Sequence, residues 1–197
     1  RIGDERAIAA LRAAANTAGP AMRQRIHQAL LDCAAQHLEK NSAGAAELYK
    51  DIYLASGTRS MRQAAWRGWM LAAPEEREQH VLDALSGHDD ALQQTALKLM
   101  REMKDTSLPA AVFFRWEALP LPAQLAVLDA HLSPGADALP VIQRAAESGD
   151  AALRIAAWRA LAGAEAASAI PMLLKAAAEG QDQEQAAARD ALSRMPG

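Results

Sequence analysis

One stretch of this sequence repeats itself, and that constrains the fold more than any bulk property. Met61-Arg62-Gln63-Ala64-Ala65-Trp66-Arg67-Gly68-Trp69 lies over Leu153-Arg154-Ile155-Ala156-Ala157-Trp158-Arg159-Ala160-Leu161, with Arg, Ala, Ala, Trp and Arg at identical offsets. The copies stand 92 residues apart, which is three steps of about 31. Two more copies fall at that step: Leu92-Gln93-Gln94-Thr95-Ala96-Leu97-Lys98-Leu99-Met100, then Ala123-Gln124-Leu125-Ala126-Val127-Leu128-Asp129-Ala130. A last copy runs over 184–192. Met22-Arg23-Gln24-Arg25-Ile26-His27-Gln28-Ala29-Leu30 lies 39 residues before the first, so the first linker is longer. A repeat of this length is one supersecondary unit that cannot bury its apolar face alone and stacks on its neighbours.

The repeating element is helical. Alanine supplies 49 of 197 residues, while valine, isoleucine and threonine together supply 15. Alanine loses no side-chain entropy in a helix, and so few β-branched residues exclude a β-sandwich or barrel. With 51% hydrophobic residues and a net charge of −3, disorder is excluded too. Apolar positions such as Leu82, Leu85, Leu92, Ala96, Leu99 and Met103 keep the 3.6-residue period. The spacing predicts helix pairs over 4–16 and 20–39, 43–56 and 58–72, 75–86 and 89–104, 107–117 and 121–132, 136–148 and 150–163, and 166–179 and 181–195. Gly19, Gly57, Gly87, Gly149 and Gly180 fall between the two helices of a pair, where one must stop. Asp89, Asp150 and Asp182 are expected N-caps. Pro74, Pro109, Pro122 and Pro171 suit first turns, where no N–H is missed. Ala65, Ala96, Ala157 and Ala188 share one repeat position, as expected of a device for close helix stacking.

The order hydrophobic-Arg-x-x-Ala-x-x-Ala-Leu in the second helix resembles the HEAT-repeat family, particularly its short bacterial form. Leu139-Pro140-Val141-Ile142 and Ile170-Pro171-Met172-Leu173-Leu174 resemble that family's proline-bearing first helix, and 150–157 its turn and second-helix start. The likeness is strong in units two, five and six. It is weak in unit four, where Glu117-Ala118-Leu119-Pro120-Leu121-Pro122 replaces the usual turn and no arginine follows. Tetratricopeptide units run longer with a different aromatic pattern, and armadillo units need three helices. The resemblance implies an all-α, right-handed α-α superhelix of about six helix pairs. It forms one repeat domain over 1–197, with units near 1–41, 42–73, 74–105, 106–133, 134–164 and 165–197. A start at Arg1 and a first helix without a polar coat lead us to expect a piece of a longer chain. The polar run 181–185 suits a terminal cap.

Chemistry is scarce. There is no H-E-x-x-H, glycine-rich phosphate loop, G-x-S-x-G or C-x-x-C-H. Cys33 and His37, or Glu76 and His80 with Asp83, share helix faces, but no ligand set is completed, so no metal, cofactor or enzymatic activity is expected. His27, His88 and His131 are expected on the surface or in turns. Basic and acidic residues balance along the chain, so the footprint of nucleic-acid binding is missing. No stretch is apolar enough to span a membrane. The single cysteine fits either a cytoplasmic or a periplasmic, exported setting.

The candidate binding face is Arg62, Trp66, Arg67, Trp69, Arg154, Trp158 and Arg159. Aromatic and arginine side chains are common binding hot spots, and 58–72 carries Arg59, Arg62 and Arg67 without an acid. The competing reading is structural. The tryptophans then fill space that alanines leave, and Arg23, Arg62 and Arg154 pair with acids such as Asp89 and Asp150. Phe113, Phe114 and Trp116 are expected to pack as an aromatic knot. The leading functional expectation is a non-catalytic scaffold for another protein or another domain of the same chain. Two alternatives stand beside it. One is a HEAT-like DNA-binding or glycosylase-type module. The other is a spacer in a large exported bacterial protein with dehydrogenase-like and haem domains.

Overall fold

A computed structural model describes residues 5–103, 107–130, 138–164 and 166–195. It is 84% helical, with twelve α-helices and no strand among the described residues. In chain order these are α1 Glu5–Thr17, α2 Pro20–His37, α3 Ser42–Ala55, α4 Arg59–Ala72, α5 Pro74–Ser86, α6 Asp90–Glu102, α7 Ser107–Phe114, α8 Leu121–Asp129, α9 Leu139–Ala145, α10 Ala151–Gly163, α11 Ile170–Glu179 and α12 Asp182–Arg194. Most of the helix spans fall close to those that the repeat predicts.

Local chemistry fixes the helix starts. Pro20 and Pro74 open α2 and α5, and Pro122, Pro140 and Pro171 sit second in α8, α9 and α11, where a missing N–H costs nothing. Asn41 caps α3 by accepting from the Gly44 N–H at 3.0 Å. Asp89 accepts from the Ala91 and Leu92 N–H groups at 3.0 and 3.3 Å, and Asp150 from the Leu153 N–H at 2.9 Å. Asp182 is not a cap. It is the first helical residue of α12, and Gln181 holds the cap position, its N–H donating to Glu184 Oε2 at 3.3 Å.

Three first helices differ from their expected spans. α7 stops at Phe114, and a 3-10 turn, Trp116–Ala118, carries the chain towards Pro120. Proline disfavours helical backbone in the residue before it, so Leu119 is extended. α11 begins only at Ile170, after a 3-10 turn at Ala167–Ala169. α9 is short, Leu139–Ala145, and 131–137 lies outside the described residues.

The chain divides into two compact units, Arg1–Ala96 and Leu97–Gly197. In the first, α2 packs on α1 and α3, α3 on α4, and α4 on α5; α2 also touches α4. In the second, α10 packs against α8, α9 and α12, and α11 against α12. Ala65, Ala96, Ala157 and Ala188 are wholly sealed from solvent, and Ile26 and Val127, at the same repeat offset, are buried. Alanine there removes the side-chain bulk that would hold neighbouring helices apart. Gly68 goes further. A Cβ at that position would collide with the Tyr49 ring, so α3 lays an aromatic ring directly on the α4 backbone.

Candidate interaction surface

The repeat's polar position is built from Arg23, Arg62, Gln93, Gln124, Arg154 and Gln185, near the start of each second helix. Most of these side chains turn back to the helix before them. Arg23 donates from Nε to the Ala15 carbonyl at 3.0 Å and from Nη2 to that of Ala18 at 2.9 Å. Gln93 donates to the Leu85 carbonyl and Gln124 to that of Trp116, both at 3.0 Å. Arg154 donates to the Ser148 carbonyl at 2.6 Å, and Gln185 reaches that of Ala178 at 3.5 Å. The last carbonyls of a helix have no intrahelical donor, and Arg23, Gln93 and Gln185 supply one; Gln124 and Arg154 instead reach the 3-10 turn and the loop before their own helices. Glutamine does this as well as arginine, which explains why the arginine lapses in units three and four.

Two of the three arginines, Arg62 and Arg154, reach an acid of the next repeat. Arg62 and Arg59 meet Asp89 at 3.3 and 3.7 Å. Arg154 holds Glu184 through both Nε, at 2.9 Å, and Nη2. Glu184, not Asp150, is thus the partner of Arg154, because Asp150 is occupied in capping α10. Arg154 and the Gln181 N–H together hold the Glu184 carboxyl below the usual carboxylate range. Gln63 donates to the Ala91 carbonyl and to Thr95 Oγ1 at 3.0 and 3.1 Å, and Gln143 to Ser168 Oγ at 2.9 Å.

The seven candidate residues divide between the units. Arg62, Trp66, Arg67 and Trp69 lie on α4, and Arg154, Trp158 and Arg159 on α10. Trp66, Trp69 and Trp158 are only 3–5% exposed. Arg62 and Arg159 are exposed, and Arg67 and Arg154 half-buried. Of the seven, only arginines reach solvent; the three indoles are buried. Trp69 packs with Tyr53 and His80, ring centroids 6.0 and 4.3 Å away, and Lys50 Nζ lies 5.0 Å from its ring. Trp158 Nε1 is buried without a hydrogen-bond acceptor. A signal for this burial was present in the repeat. The offset of Trp66 and Trp158 carries Leu97 and Leu128 in the intervening copies, both buried.

Phe113 and Trp116 stack at 5.7 Å and are buried, but Phe114 is 85% exposed and takes no part in a knot. His27 is neither a surface nor a turn residue: it is 5% exposed, inside α2. His88 is exposed in a turn, and His131 lies outside the described residues. Cys33 is buried, which with the nearby Asp32 pushes its thiol pKa up. Glu76 and His80 approach to 3.5 Å, whereas Asp83 accepts from Gln79 at 2.8 Å. Among the described residues no three His, Cys, Asp or Glu side chains converge as a metal site would need, and no helix is long and apolar enough to cross a membrane.

No family model matches the chain, and no match was found among curated proteins or solved structures.

Proposed function

We propose that the chain is a HEAT-like repeat array whose role is to hold a partner, or another domain of its own polypeptide, rather than to catalyse. The observation that carries this reading is the fate of the repeat's polar groups. At the six equivalent positions, five side chains bond a backbone carbonyl in the segment before their own helix, and Arg62 and Arg154 tie one repeat to the next. Residues committed in this way fix the stacking of helix pairs. Second helices packed on second helices, α2 on α4 and α8 on α10 on α12, support a stacked superhelical arrangement.

The exposed residues suit protein contact. Arg62 and Arg159 are exposed, and Leu54 and Phe114 are 73% and 85% exposed. The DNA-directed alternative needs aromatic faces free to stack on bases, and here the indoles are packed inside. Crosslinking of the parent polypeptide in its native cell tests the proposal. Reproducible crosslinks from Arg- and Phe114-bearing surfaces to one protein or one neighbouring domain are expected. Recovery of none, from either the chain or its parent, would overturn it.

A further inference from the structure

The first repeat departs from the second at two places that the repeat makes equivalent. His27 and Leu30 of α2 stand where α4 carries Trp66 and Trp69. In the second repeat Trp69 closes the seam between successive first helices. Its ring packs with Tyr53 of α3 and with His80 of α5, centroids 6.0 and 4.3 Å away, and Lys50 Nζ lies 5.0 Å from the indole.

The corresponding seam of the first repeat lies between α1 and α3, both of which pack on α2. Leu30 leaves it open, and a cavity of about 330 Å³ is found there. Ala15 and Asn16 line it from α1, His27 and Leu30 from α2, and Ile52 and Leu54 from α3. Leu54 is 73% exposed. Arg12 of α1 and Asp51 of α3 meet at 2.6 Å across the seam, so a cation lines this cavity as Lys50 flanks Trp69.

His27 is the polar group inside the seam. It is 5% exposed, and its imidazole makes no hydrogen bond among the described residues. Unlike Trp158 Nε1, its ring nitrogens are not sealed from solvent. Burial, and then the Arg23 charge, push its pKa down, so at neutral pH one nitrogen donates and the other accepts. Leucine at the same offset in the intervening copies shows what packing alone would select, and a buried imidazole without a partner is costly. The walls from α1 and α3 are the last turns of those helices, whose partial negative charge disfavours an anion and suits a neutral donor.

We propose that this cavity binds a free, planar aromatic molecule of about indole size. The ring lies on Leu30, Ile52 and Leu54 beside the Arg12 guanidinium, and its N–H or O–H donates to the His27 imidazole. The chemistry is that of the neighbouring seam, where an indole fills the equivalent place with a cation beside it. The Arg12–Asp51 pair crosses the seam and bars a peptide laid along it, which favours a small molecule over a partner's chain. The inference is independent of the scaffold reading.

The test is an NMR titration of the whole chain with indole, N-methylindole, cyclohexanol and N-acetyltryptophanamide. Indole is expected to give saturable shifts at Ala15, Asn16, His27, Leu30 and 52–55, and to leave the Trp69 seam unmoved. It should bind about threefold or more tighter than N-methylindole, the loss of one hydrogen bond, and tighter than cyclohexanol. Leu30→Trp, which fills the seam as the second repeat does, is expected to abolish binding. Leu54→Ala truncates an exposed side chain, so it should keep the wild-type melting temperature and weaken indole binding about threefold or more. It decides the matter if Leu30→Trp does not fold. The proposal is overturned by the absence of saturable shifts, by equal affinity for indole and either N-methylindole or cyclohexanol, or by unchanged affinity in the folded variants. Tighter binding of N-acetyltryptophanamide than of indole would assign the cavity to a partner's side chain and overturn it too.

Discussion

At the scale of single residues, positions that look unremarkable in the sequence carry strong geometric demands. Glycine inside a helix costs about 1 kcal/mol relative to alanine, so Gly68→Ala ought to stabilise α4. The Tyr49 ring occupies the space the new methyl would need. Overpacking of this kind costs about 1–3 kcal/mol, so the variant is expected to be destabilised on balance. Urea denaturation checks this, and Gly68→Ala in a Tyr49→Leu background should recover part of the helical gain. If Gly68→Ala alone is more stable than wild type, the close approach of α3 and α4 is wrong. The carbonyl-capping position allows a second comparison. Gln93→Ala is expected to lose about 0.5–1.5 kcal/mol, one hydrogen bond's worth. Gln93→Arg should stay within about 0.5 kcal/mol of wild type, since Arg23 makes the equivalent bond with the same eight-residue reach. Equal losses in both variants would show that the bond to Leu85 contributes nothing. The repeat puts these side chains at one position but does not reveal that five of the six donate to a backbone carbonyl. That role lives in the turn geometry between paired helices, which a pattern of side-chain types does not encode. The burial of Trp66 and Trp158 was legible, through Leu97 and Leu128. The exposure of Phe114 was not, because α7 ends at Phe114 and the 3-10 turn redirects the chain as Trp116 returns to the core.

At the scale of elements, the helix spans were readable because apolar period, proline and capping residues all mark the same boundaries. The readings that failed were those where two local signals competed. At 114–122, two prolines and a 3-10 turn override an otherwise helical composition. At the start of α12, Gln181 takes the cap from Asp182 because Glu184 answers its N–H. Glu184 also anchors α12 to α10 through Arg154, and this makes α12 sensitive to acid. Its folded pKa lies below the ordinary 4.5. A carboxyl shifted down stabilises the fold fully above its unfolded pKa and loses that contribution as pH falls through the folded value. Wild type is therefore expected to exceed Glu184→Gln in stability at neutral pH, with the gap closing as pH drops below 4.5. Paired denaturation series across that range measure the gap, and a constant difference would mean that the carboxylate charge is not what holds α12. Gly180 adds a steric condition to the same junction. A Cβ there would lie 2.6 Å from the Ala176 carbonyl and 3.1 Å from Glu184 Cβ, so a side chain at 180 would push α12 off its cap.

At the scale of the whole molecule, the question is whether stability is shared globally or passed from neighbour to neighbour. A stacked array approximates a sum of unit stabilities and nearest-neighbour interfaces, and its opening free energies differ along the chain. Leu153 is buried at the start of α10, the helix that packs against α8, α9 and α12. Leu153→Asp places an unpaired carboxylate in that contact. The cost is expected to be about 3–5 kcal/mol, as for other buried charges left without a partner. In a single cooperative globule every strongly protected amide would lose that much. In a repeat array the loss should concentrate in α8, α10 and α12 and leave most of the protection of α3 and α4 in place, since none of their packing involves α10 among the contacts described. Native-state hydrogen exchange on the variant separates the two. A uniform loss of protection across α3, α4, α10 and α12 would count against the nearest-neighbour picture on which the scaffold proposal rests, whereas a graded loss means that each repeat can hold its surface in place without the others.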